Sequence, residues 1–128
     1  MKDYIAYQGE KFQIEWYYNV EGDSQALEYA TDRLTKVEKA RLLLLFERMG
    51  DLGKVNDITK FRNEGDGVYA FKPKPHRFLC FFFEGGKIIV TNAFEKRQDK
   101  LPQREKVKAL DARKEYKERI KKGTYYED

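Results

Sequence analysis

Apolar and polar residues first alternate near the N-terminus, where Phe12, Ile14, Trp16 and Tyr18 are separated by Gln13, Glu15 and Tyr17. That two-residue period predicts a half-buried strand. The sequence EGDS at 21–24 breaks it, and Asp23 or Ser24 supplies a side-chain oxygen to cap the free amides of a helix start. A short helix is expected over about Gln25 to Arg33. A second follows from about Lys36 to Met49, with Val37, Ala40 and Leu44 at helical spacing and Leu43, Leu45 and Phe46 widening the apolar face. Gly50 and Gly53 are expected to stop it. So short a connection predicts an antiparallel helical hairpin.

From Val55 to Gly67 the chain reads as polar and turn-like, with NEGDG as a loop. Three strands are predicted next, at about Gly67–Lys72, Arg77–Glu84 and Lys87–Phe94. KPKP joins the first two as a stiff, extended connection, and EGG makes a tight hairpin between the last two. The middle strand is apolar on both faces, with Phe78, Cys80 and Phe82 set against Leu79, Phe81 and Phe83. It belongs inside the sheet. Pro102 suits the first turn of a last helix reaching about Lys121, whose buried stripe is Ala109, Ala112, Tyr116 and Ile120. The predicted fold is α/β (α+β): one domain over 1–128 in the order β-α-α-β-β-β-α, an antiparallel sheet with a helical hairpin and a C-terminal helix.

Composition supports a packed core, since 41% of residues are apolar and 15% aromatic despite 38% charged. The longest apolar runs, Leu42–Phe46 and Phe78–Phe83, fall far short of the roughly 20 residues that span a bilayer. The N-terminus lacks an apolar signal core, so a cytoplasmic protein is expected. Cys80 is the single cysteine and lies in an aromatic run, which predicts a buried, inert thiol. Charge is uneven along the chain. Residues 1–53 carry 7 Lys/Arg and 10 Asp/Glu, a net of 7 − 10 = −3, while residues 54–128 carry 19 and 12, a net of +7. A basic half points towards a polyanion.

Lys72, Arg77, Lys96 and Arg97 stand at the ends of the best strands, where an apolar core does not call for them. RNA is cut without metal when its own 2′-hydroxyl attacks the adjacent phosphorus. Clustered cations then stabilise the phosphorane, and Arg adds bidentate phosphate contacts. A lysine serves as base only if burial or neighbouring cations lower its pKa. These four are the catalytic candidates; Lys74, His76, Phe94, Lys100 and Arg104 are the expected RNA contacts around them. His76, the only histidine, sits beside Arg77 at the mouth of the hairpin. Trp16, Phe94, Tyr125 and Tyr126 are the aromatics available to stack on a base, Trp16 reading better as core. No His or paired-Cys cluster suggests a metal, and no glycine motif suggests a nucleotide cofactor.

The ordered set GVYAFK, HRFLCFFFEGGKIIV and NAFEKRQDKLPQRE resembles the RelE/HigB superfamily of toxin endoribonucleases, and within it the phage-associated HigB-like branch. The resemblance covers roughly residues 10 to 120 and is specific from Gly67 to Glu105. It places Lys72 where the family usually has an arginine. Arg77 matches the arginine opening the central strand, Lys96 and Arg97 the paired cations after the last strand, and Phe94 the aromatic that precedes them. Asn92 and Ala93 stand where His-Gly is usual. The resemblance implies the toxin of a type II toxin–antitoxin pair, an endoribonuclease cutting mRNA on the ribosome. It also implies a helix-turn-helix antitoxin as partner. Two alternatives share the fold: a ParE-like toxin that acts on DNA gyrase, and a phage interaction protein without activity.

Overall fold

Local signals start each helix where the pattern places it. A computed structural model describes residues 2–98 and 100–126. Helix α1, Gln25–Arg33, is capped by the Ser24 hydroxyl, which accepts from the Leu27 amide. Helix α2, Lys36–Leu52, opens on a reciprocal capping box between Thr35 and Glu38, satisfying two otherwise orphaned amides. It runs through Gly50 and ends at Gly53, which takes the left-handed conformation at φ 77. Gly50 serves a close approach instead of a stop. A Cβ there would stand 2.7 Å from the Tyr7 ring, and its carbonyl accepts from the Lys11 and Phe12 amides. Helix α3, Gln103–Lys122, follows Pro102 directly.

Six strands form one sheet: β1 (Ile5–Gln8), β2 (Gln13–Trp16), β3 (Phe61–Gly65), β4 (Val68–Phe71), β5 (His76–Phe83) and β6 (Lys87–Glu95). Their spatial order is β1-β2-β6-β5-β4-β3. Every pairing is antiparallel except β2 with β6, which is parallel, so the sheet is mixed. Strands β1 and β3 are additions to the predicted order. Both are short edge strands, and β3 fills part of the segment expected to be a loop.

Helices α1 and α2 cover one face of the sheet and α3 the other. Strand β5 is therefore enclosed on both sides: Phe78 and Cys80 join the core under α1 and α2, while Leu79 and Phe81 meet α3. Strand β2 was expected to be half-buried, yet Glu15 is 1% exposed. Its carboxylate accepts from Gln13 and Tyr126 and lies 3.6 Å from Lys87 Nζ. Trp16 is core, as is Tyr125, which at 1% exposure has no open face to stack on a base and whose hydroxyl accepts from the Tyr18 amide. The stripe of α3 packs as predicted, with Ala109 and Tyr116 buried. The stripe of α2 does not. Leu42, Leu45, Phe46 and Met49 face the core, while Val37, Leu43 and Leu44 are exposed.

Candidate functional site

One end of the sheet gathers the start of β3, the end of β4, the start of β5 and the end of β6. The ladder sets Phe71 opposite Phe78 and Arg77 opposite Phe94. The backbone continues the alignment beyond the strands, with the Lys72 amide donating to Lys60 O and the Lys96 amide to Pro75 O. Lys72 after β4, Arg77 at the start of β5 and Lys96 after β6 are thereby brought near one another, close enough that the charges of Arg77 and Lys96 act on Lys72.

Arg77 alternates with Phe78 and so lies on the α3 side of β5. It is only 8% exposed. Its Nη1 donates to the His76 carbonyl, and its buried Nε has no partner among the described residues. Burial holds the guanidinium below its ordinary pKa, with Glu64 acting in the opposite sense. Lys72 is half-buried, and its Nζ donates to Ile58 O. Burial lowers its pKa first, then the positive charges of Arg77 and Lys96, with Glu64 opposing. A half-buried ammonium beside two cations sheds its proton more readily than a free lysine.

The remaining candidates fall in different places. Lys74 is exposed and lines a cavity against α2 together with Lys72. Arg97, the fourth catalytic candidate, lines a different cavity of about 380 Å³ with Arg104, Phe94, Tyr29 and Arg33. Arg97 also lies 3.6 Å from Glu95. Lys100 is exposed. The candidate cations therefore do not share one concave surface.

His76 is not at an open hairpin mouth. It is 5% exposed, its Nδ1 is 2.7 Å from the Tyr29 hydroxyl, and its Nε2 is 3.1 Å from Glu38 Oε1. This chain ties α1, α2 and β5 together, which withdraws His76 from RNA contact. Neither Tyr29 nor Glu38 carried a functional signal in the sequence, since each reads as an ordinary helix position. Asn92 is likewise structural here. It is buried at the seam between β6 and α3 and donates to the Glu105 carbonyl and carboxylate, each at 3.1 Å.

Among the described residues, no group of three or more His, Cys, Asp or Glu is clustered to hold a metal ion. No helix among them is long and apolar enough to cross a membrane. None of the curated proteins matches the chain. Residues 30–114, about two thirds of the sequence, match the family model described as phage derived protein Gp49-like (DUF891). The matched span runs from the end of α1 through most of α3 and contains Lys72, Arg77 and Lys96. The chain belongs to this phage-derived Gp49-like family, a family of RelE/HigB-like toxins.

Proposed function

We propose that this protein is the toxin of a toxin–antitoxin pair and cuts mRNA on the ribosome by directing the substrate's own 2′-hydroxyl at the adjacent phosphorus. One observation carries the reading. A buried arginine whose Nε has no partner among the described residues stands beside a lysine whose pKa is lowered by burial and by two neighbouring cations. Such an arrangement costs stability in the free protein, and an anion between the three cations relieves it.

Lys72, in its neutral form, accepts the proton of the attacking 2′-hydroxyl. Arg77 and Lys96 meet the negative charge that grows on the phosphorane oxygens, where fixed donors in a partly dry site act most strongly. As the 2′-oxygen bonds to phosphorus the P–O5′ bond breaks, the 5′-oxygen leaves with a proton taken from water, and the product keeps a 2′,3′-cyclic phosphate. Arg97 and Arg104 lie off this centre and hold flanking phosphates. The partner that restrains the enzyme is a helix-turn-helix antitoxin, expected in the neighbouring reading frame.

The test is expression without the antitoxin, followed by end-mapping of mRNA and inspection of DNA. Fragments ending in 2′,3′-cyclic phosphate or 3′-phosphate are expected. Intact mRNA with double-strand breaks in DNA would refute the ribonuclease and point to gyrase.

A further inference from the structure

Helix α2 turns aliphatic side chains outward that its sequence pattern assigned to the core. Val37 is 60% exposed, and Leu43 and Leu44 are each 46% exposed. Leu44, with Leu45 and Pro73, lines a cavity of about 280 Å³ between α2 and the β4–β5 connection. The rim of that cavity is strongly positive. Arg41 and Arg48 stand two turns apart on α2, Lys60 precedes β3, and Lys72 and Lys74 flank Pro73. Among the described residues, no carboxylate lines it. Among the described residues, none of these five cations forms an ion pair within 4.0 Å.

We propose that this groove docks an acidic amphipathic segment of a protein partner. An aliphatic side chain of the segment seats on Leu44, Leu45 and Pro73, and flanking carboxylates pair with Arg41, Arg48, Lys60 and Lys74. Two features favour protein over RNA. No aromatic side chain lines the cavity to stack a base, and base stacking is what holds unpaired RNA beyond its phosphates. The floor is aliphatic, and Leu44 in it is 46% exposed while Leu45 and Pro73 lie buried behind it, which suits an apolar side chain of an amphipathic segment. Arginine forks at the rim match carboxylates in bidentate geometry. Because Lys72 lines the same groove, docking also covers the base assigned above. That consequence, unlike the docking itself, rests on the proposed ribonuclease reading.

The experiment measures two affinities of the full chain, using the purified product of the adjacent reading frame and a short single-stranded RNA as probes. Arg41→Glu/Arg48→Glu and Leu44→Asp change exposed or rim positions outside the proposed catalytic set, and their thermal midpoints confirm folding. Both variants are expected to bind the protein at least about tenfold more weakly, to bind RNA as the wild type does, and to retain mRNA cleavage. Unchanged affinity for the protein overturns the proposal. So does loss of RNA affinity with protein affinity intact, which makes the groove an RNA track, and so does a wild type that ignores the protein probe. Docking that weakens as expected while the wild type cuts no mRNA sinks the ribonuclease reading and leaves the groove standing.

Discussion

Truncating Phe81 to alanine tests whether α3 closes the second face of the sheet. Phe81 is 2% exposed and clusters with Tyr17, Ile89, Tyr116 and Tyr125. Its ring meets Tyr116 of α3 edge-on, with centroids 5.5 Å apart, and Phe83 meets the same tyrosine from 4.9 Å. Removing a buried phenylalanine costs about 3–5 kcal/mol through lost transfer energy and the cavity left behind. For a chain of this length each kcal/mol shifts Tm by roughly 4 °C, so Phe81→Ala lowers it by about 12–20 °C. Circular dichroism during heating reads that shift. A double-mutant cycle with Tyr116→Ala isolates the ring contact, for which a coupling of about 0.5–1.5 kcal/mol is expected. Phe82→Ala is the control, since Phe82 is 38% exposed and its loss costs less. A fall below about 4 °C for Phe81→Ala, or no coupling to Tyr116, would refute the enclosed position.

Three further outcomes follow from particular side chains. Lys72→Met raises Tm at neutral pH while abolishing growth arrest. A lysine whose folded pKa is depressed binds its proton less well in the folded state than in the unfolded one, so wild-type stability climbs as pH rises through the folded pKa towards 10.5. The variant lacks that rise, and a Lys72→Met protein with an unchanged pH profile would show that the lysine is ordinary. Asn92→Ala removes two hydrogen bonds to Glu105 at buried positions. It costs about 1–3 kcal/mol and speeds amide exchange in the first turn of α3; equal exchange would contradict the anchoring role. Cys80 is fully buried, and burial pushes its thiol pKa up, so a thiol reagent labels it in urea and not in native buffer.

The parts of this fold that were legible in the sequence are those whose burial is complete. Strand β5 announced itself because both its faces are covered, leaving no polar residue from Phe78 to Phe83. Helix α1 was legible from its cap at Ser24, whereas the Thr35–Glu38 capping box of α2 was not read from the sequence. Edge strands gave no such signal. Strand β3 reads FRNEG because its outer edge meets solvent, and its turn needs Gly65, Asp66 and Gly67 all at positive φ. The α2 stripe misled because α2 has more aliphatic positions than its buried face requires, and of the surplus Leu44 lines the outward groove. For the site, sequence identified which cations end strands. It did not show that Arg77 is buried or that Arg97 turns towards α1, because those depend on strand register and on α3. His76 lost its proposed RNA contact to Tyr29 and Glu38, partners that lie 47 and 38 residues away (76 − 29 and 76 − 38).

The central claim is that Lys72, Arg77 and Lys96 form the cutting centre, and Arg77→Met tests it most directly. Methionine keeps the apolar stem packed and removes the guanidinium with its unpartnered Nε. The measurement is single-turnover cleavage of ribosome-bound mRNA by folded protein, with Tm recorded alongside. Loss of one such charge-stabilising group slows chemistry by about 100- to 1,000-fold. A drop of that size is expected, with Tm equal to or above that of the wild type. Cleavage within about threefold of the wild type, at unchanged Tm, would contradict it.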